Sequence, residues 1–263
     1  MNRIDKYFED SRLSRRKALI AYLTAGYPSV EATIEIAAAL VEGDCDMIEL
    51  GIPFSDPLAD GATIQRASHR ALETGMTPQR CLDVAAELRR RVDVPLIFMG
   101  YYNPILHYGL NDFCKASSDA GIDGLIVPDL PPEEGEELEA IASGNGIDLI
   151  YLLAPTTTSA ERIRLVADRS RGFIYVVSLK GVTGTRSAIS TDLDGFISKV
   201  RNATSKPLCV GFGISTPEQA GRVAALSDGV IIGSRIIDIV ENSESPTADV
   251  KAFVKEVRTA IDA

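Results

Sequence analysis

Eight short apolar runs punctuate the chain: Leu19–Thr24, Asp46–Leu50, Pro95–Met99, Gly124–Val127, Asp148–Leu153, Phe173–Val177, Leu208–Val210 and Gly229–Ile232. Each is continuous rather than alternating. Continuous runs predict strands covered on both faces, as in a parallel sheet wrapped by helices. Between them apolar residues recur at helical spacing. Val30, Ile34, Ala37, Ala38 and Val41 form one stripe, and Cys81, Leu82, Val84, Ala85, Leu88 and Val92 form another. Thr77-Pro78 reads as an N-cap followed by a first-turn proline. Thr158-x-x-Glu161 and Ser215-x-x-Glu218 each fit a capping box. Further helices are expected before the first strand (Ile4–Ser11) and at the end (Thr247–Ile261).

Strand and helix alternate throughout, and no linker or change of composition interrupts them. The pattern predicts an α/β protein: one (β/α)8 TIM barrel domain over residues 1–263, with an extra N-terminal helix. An open doubly wound sheet is the alternative. The length of 263 residues suits a barrel of roughly 250. Two strand-to-strand intervals are long, 49 and 35 residues. They predict long loops after strand two (Gly51–Met76) and strand six (Ser178–Ser190). In a barrel both lie at the C-terminal face, where chemistry sits. Loops of that length are expected to act as lids.

Apolar residues make up 45% and charged residues 24%, a globular balance. The net charge of −10 argues against nucleic acid or an anionic membrane surface as partner. It does not exclude a small anion, because backbone amides bind phosphate without net positive charge. Cys45, Cys81, Cys114 and Cys209 are at least 33 residues apart. That spacing fits no zinc site and reads as buried thiols of a reducing compartment. With no apolar span and no signal core, the chain reads as cytoplasmic.

Candidate chemistry concentrates at predicted strand ends. Glu49 lies inside an apolar run, where desolvation raises a carboxyl toward neutral pKa and suits it to acid–base work. It reads equally as a strand-end carboxylate capped by a neighbouring amide. Asp60 ends the turn-rich stretch Gly51-Ile-Pro-Phe-Ser-Asp-Pro-Leu-Ala-Asp-Gly61. Two carboxylates in unlike environments can divide acid and base roles. Asp56, in the same stretch, reads as a turn cap, a reading that Asp60 shares. Glycines follow three consecutive strands: Gly181-Val-Thr-Gly184, Gly211-Phe-Gly213 and Gly233-Ser234. Such loops form the phosphate site of many barrels. Gly211-x-Gly213 lacks the third glycine of a dinucleotide fingerprint.

Tyr175 lies in strand six, pointing either way, and Tyr101 and Tyr102 follow strand three as core or pocket residues. His69 reads as a helix-surface residue and His107 as a loop residue. Neither has a histidine at helical spacing, so no metal site is expected. Lys180 could form a Schiff base, but its glycine-bounded setting favours a solvated loop lysine.

The stretch from Glu49 to Gly61, the Gly-Val-Thr-Gly loop, Gly211-Phe-Gly-Ile-Ser215 and Gly233-Ser234 resemble the tryptophan synthase alpha chain family. Met99-Gly-Tyr-Tyr-Asn-Pro104 and Val127-Pro-Asp-Leu-Pro131 add to the likeness, which runs to the final helix. The resemblance implies a (β/α)8 barrel cleaving indole-3-glycerol phosphate into indole and glyceraldehyde 3-phosphate. It puts catalysis on Glu49, Asp60 and Tyr175. It puts substrate binding on Tyr22, Ile64, Tyr101, Thr183, Gly184, Gly211, Phe212, Gly213, Gly233 and Ser234. It implies no cofactor in this chain; pyridoxal phosphate belongs to a beta chain partner, in an alpha2-beta2 heterotetramer. The mouth loops near Pro53–Pro57 and Asn103-Pro104 are expected to meet that partner. A non-catalytic allosteric subunit and a stand-alone lyase are the alternatives. Three positions depart from the family pattern. Ala62 replaces a proline, Tyr22 a phenylalanine, and Arg235 a small residue.

Overall fold

A computed structural model describes residues 2–155, 159–177, 188–211 and 213–263, with backbone alone for residues 188–192. Nine parallel strands are seen: β1 (Ala18–Thr24), β2 (Met47–Gly51), β3 (Leu96–Met99), β4 (Gly124–Ile126), β5 (Asp148–Ile150), β6 (Leu152–Leu153), β7 (Ile174–Val177), β8 (Leu208–Gly211) and β9 (Gly229–Ile232). They pair in the order β5-β4-β3-β2-β1-β9-β8-β7-β6. The two ends of that order, β5 and β6, are separated in the chain by Tyr151 alone. The sheet therefore returns on itself as the expected TIM barrel.

The predicted fifth strand is thus split. Tyr151 gives its N–H to Ser170 Oγ at 3.0 Å, off the ladder. The half before it pairs with β4 and the half after it with β7.

Helices cover the barrel: α1 (Arg3–Ser14), α2 (Val30–Glu42), α3 (Ala62–Glu73), α4 (Pro78–Arg89), α5 (Tyr102–Tyr108), α6 (Leu110–Asp119), α7 (Glu136–Gly144), α8 (Ala160–Arg169), α9 (Ala188–Arg201), α10 (Pro217–Ala224), α11 (Ser234–Asn242) and α12 (Pro246–Ile261). Thr77 caps α4 as expected, accepting from Arg80 N. The cap of α8 is Ser159, accepting from Arg162 N, while Thr158 lies outside the described residues. The capping box of α10 is Thr216 with Gln219, one residue past the predicted pair. On α2 the buried face is Thr33, Ile34, Ile36, Ala37, Ala39 and Leu40. It is rotated from the predicted stripe because α12, α4 and β1 all pack against this helix.

The interval after β2 is not one long loop. A ten-residue connection, 52–61, leads into α3, and α4 follows. Part of the second predicted loop is also helical, since α9 begins at Ala188. His107 lies on α5 rather than in a loop.

At the foot of the barrel three aspartates precede strands and clamp the neighbouring strand. Asp46 donates its N–H to Leu19 O at 2.9 Å and accepts from Leu19 N at 2.8 Å. Asp123 does the same with Leu96, and Asp228 with Leu208. Each carboxylate also pairs with a helix arginine: Arg258 with Asp46, Arg89 with Asp123 and Arg201 with Asp228. Helix α1 covers this end, with Ile4 and Phe8 buried against the strands. Among the described residues no helix is long and apolar enough to cross a membrane.

Candidate active site at the barrel mouth

Register decides what points inward. Tyr22 on β1 pairs with Glu49 on β2, and Glu49 pairs with Ile97 on β3. The next inward layer holds Thr24, Gly51 and Met99. Across the barrel Tyr175 pairs with Cys209, and Val177 with Gly211. A pocket opens above this layer, lined by Tyr22, Glu49, Asp60, Gly61, Ile64, Met99, Tyr175, Gly213, Ile214, Ile231, Gly233 and Ser234.

Two tyrosines reach across to glycines on adjacent strands. A Cβ on Gly51 would sit 2.1 Å from the Tyr22 hydroxyl, and one on Gly211 would sit 2.4 Å from the Tyr175 hydroxyl. Only glycine leaves room for these rings. Thr24 Oγ1 shares a hydrogen bond with the Tyr22 hydroxyl at 3.3 Å. Gly211 therefore shapes the wall behind Tyr175 and is not among the lining residues.

Glu49 is 1% exposed, and among the described residues neither carboxyl oxygen has a hydrogen-bond partner, a neighbouring amide included. Burial, then the nearby Asp60 charge, pushes its pKa up to about 8. Asp60 is half-buried on the loop before α3. Burial raises its pKa to about 6, and a hydrogen bond from Tyr101 opposes the shift. The Tyr101 hydroxyl accepts from Ala59 N at 2.9 Å, and its ring packs on Phe54. Tyr101 thus stands behind Asp60 rather than on the pocket lining. Asp60 does not cap α3: the N-cap is Gly61, without a side-chain bond. At neutral pH the pair is a protonated Glu49 beside an ionised Asp60. A buried proton donor next to an anion can run acid–base chemistry without a metal.

The other end of the pocket suits an anion. Helix α11 starts at Ser234, and among the described residues no side chain caps its first amides. Gly213 adopts φ +75°, a left-handed conformation that turns the β8 loop toward the pocket. Free amides at a helix N-terminus favour a phosphate. Arg235 points away, with its guanidinium over the Phe253 ring at 5.7 Å, so it adds no charge to this end. Ala62 is exposed in the first turn of α3.

Of the predicted site, Tyr22, Glu49, Asp60, Ile64, Tyr175, Gly213, Gly233 and Ser234 converge on one pocket. Thr183, Gly184, Phe212 and the alternative nucleophile Lys180 lie outside the described residues. Gly61, Met99, Ile214 and Ile231 were not anticipated. Met99 and Ile231 become legible once register is known, because they share inward parity with Glu49 and Ile20.

A parallel barrel with a buried acid–anion pair and an anion-binding helix end at its C-terminal mouth defines a barrel enzyme acting on a small phosphorylated or otherwise anionic molecule. The family model described as tryptophan synthase alpha chain matches residues 8–262. The chain belongs to the tryptophan synthase alpha chain family. It is 51% identical to the tryptophan synthase alpha chain of Dehalococcoides mccartyi over 262 residues, covering 100% of both chains. It is 46% identical to that of Geobacter sulfurreducens over 263 residues, covering 99% of each. It also superposes on the crystal structure of the Legionella pneumophila alpha subunit with TM-score 0.91 and 40% identity, covering 100% of this chain and 99% of that one.

Proposed function

We propose that Glu49, Asp60 and Tyr175 carry out the reaction of this family, cleavage of indole-3-glycerol phosphate to indole and glyceraldehyde 3-phosphate in tryptophan biosynthesis. The observation that carries the assignment is geometric: a buried Glu49, its oxygens unbonded among the described residues, and a half-buried Asp60 line one pocket, where burial raises both carboxyls. Protonated Glu49 delivers its proton to indole C3. Ionised Asp60, beside the ring N–H, stabilises the positive charge that builds on the ring. As the carbon–carbon bond breaks, its electrons return to the ring, and Glu49 takes the proton of the glycerol hydroxyl that becomes the aldehyde. Glu49 ends protonated, ready for the next turnover. Tyr175 orients the reacting groups. Each positioned acid–base group contributes about 10²- to 10⁴-fold.

The phosphate binds at Gly213, Gly233 and Ser234, with Gly184 contributing as well. This remote contact orients the substrate. Tyr22, Ile64, Thr183 and Phe212 surround the indole, Tyr101 backs Asp60 beside it, and Gly211 holds the wall of the pocket. The family is generally the partner of a beta chain. Here the assembly is an alpha2-beta2 heterotetramer in the cytoplasm. Its pyridoxal phosphate sits in the beta chain, and residues 1–263 act as one barrel domain.

The test is indole release from indole-3-glycerol phosphate by the chain alone and with beta chain. Slow release that rises strongly with beta chain is the expected result. Full activity alone identifies a stand-alone lyase. Ligand binding without release in either case identifies a non-catalytic allosteric subunit and overturns the reading.

A further inference from the structure

The two ends of the pocket are carried by two helices. Asp60 immediately precedes the N-cap of α3, and Ser234 opens α11. These helices are joined outside the pocket. Thr63, Arg66 and Arg70 share one face of α3 at spacings of three and four residues. Asp238 and Glu241 share the facing side of α11. Thr63 Oγ1 lies 3.2 Å from Asp238 Oδ1. Arg66 Nη2 donates to Glu241 Oε2 at 3.2 Å, and Arg70 Nη1 lies 3.3 Å from Glu241 Oε1. Each oxygen of Glu241 therefore takes one arginine of α3. Glu241 is only 20% exposed at its side chain, whereas both arginines are half exposed.

A second link runs from α3 to the loop. Gln65 Nε2 donates to Asp60 O at 2.9 Å, and Gln65 N donates to Gly61 O at 3.0 Å. The first turn of α3 thus holds the backbone of Asp60. Wherever α3 is seated, Asp60 follows.

We propose that Glu241 is a positioning residue: through Arg66 and Arg70 it seats α3 on α11 and so fixes Asp60 relative to the anion-binding end of the pocket. This rests on the assignment of Asp60 to the reaction. Half-exposed ion pairs contribute little to stability, so the clamp acts on geometry. A carboxylate misplaced by about 1 Å can cost roughly 10²-fold in rate. The spacing between the ring-facing carboxylate and the phosphate end is then set by a helix pair and not by the loop that carries Asp60.

The experiment measures indole release by the full chain with its beta chain, across pH, for Glu241→Ala, Glu241→Gln, Thr63→Val and Asp60→Asn. Glu241→Ala is expected to lower kcat roughly tenfold with KM changed less than twofold, because Gly213, Gly233 and Ser234 are untouched. The acid limb of its pH profile is expected to move to lower pH, as a less confined Asp60 becomes better hydrated. Glu241→Gln keeps one acceptor oxygen and falls between. Thr63→Val shifts both readouts in the same direction by less, and carries the test if Glu241→Ala fails to fold. Wild-type kcat with an unmoved acid limb in all folded Glu241 and Thr63 variants overturns the proposal. Normal turnover by Asp60→Asn overturns the assignment of Asp60 instead.

Discussion

At the foot of the barrel, Asp46, Asp123 and Asp228 each hold a strand N–H and an arginine. Toward the mouth, Glu49 is as deeply buried as any of them and, among the described residues, holds neither. The aspartates stand just before their strands, and Glu49 stands in the middle of β2. The difference is what surrounds them. A buried carboxylate with a cation and backbone donors stays charged and joins elements together. One without them keeps its proton and is available to substrate. The same residue class is spent on cohesion at one end and on reactivity at the other.

Four measurements break or sharpen that contrast. Glu49→Gln should abolish indole release, a loss of at least about 10²–10⁴-fold, while the melting temperature holds or rises. Gln matches the neutral acid in shape, so little packing is lost. Appreciable turnover would remove Glu49 from the reaction. Arg258→Ala is the opposite case. Arg258 is 5% exposed and bonds Asp46, Lys17 O and Asp44 O. Its loss leaves Asp46 with Arg16 as its remaining cation and strands the carbonyls of Lys17 and Asp44, which should cost about 1–3 kcal/mol in a denaturant titration, with kcat of the folded enzyme near normal. A large fall in kcat without loss of stability would dissolve the distinction between the ends.

Asp60→Asn should reduce kcat by about 10²-fold. Asparagine still accepts from Tyr101 but cannot balance charge on the ring, so substrate affinity should change far less than rate. Normal kcat would exclude the electrostatic role. The smallest effect is in stability against pH. The folded-state pKa of Glu49, about 8, lies above its ordinary 4.5, and that of Asp60, about 6, above 3.8. Their stabilising contribution is complete below the ordinary values. It is lost as pH rises to about 6 for Asp60 and about 8 for Glu49. Wild type should therefore lose stability between about pH 4.5 and 8 relative to Glu49→Gln. Parallel curves for the two proteins would show that Glu49 titrates normally.

Much of this was legible in the chain, for identifiable reasons. Strands buried on both faces leave unbroken apolar runs, and a carboxylate inside one of them, Glu49, stands out. What escaped depends on distant partners. The run Asp148–Leu153 looks continuous, and only Ser170, 19 residues on, breaks its ladder at Tyr151. Helix α5 begins where Asn103-Pro104 suggests a turn, because proline fits a first turn as readily as it ends one. Met99 and Ile231 carry no chemical signal; their inward direction comes from register with β2 and β1. The aspartates of the foot did leave a trace, an acid just before three apolar runs at Asp46, Asp123 and Asp228. Its meaning depends on arginines up to 212 residues away.

The tyrosine hydroxyls above Gly51 and Gly211 also constrain how the chain can change through descent. A lineage cannot acquire a side chain at either glycine while the ring opposite remains, since a methyl group would lie 2.1 or 2.4 Å from oxygen. The ring must shorten or leave first. Each tyrosine, by contrast, can be trimmed with its glycine in place. Substitutions at these four positions therefore have an order: Gly51 can change only after Tyr22 has, and Gly211 only after Tyr175.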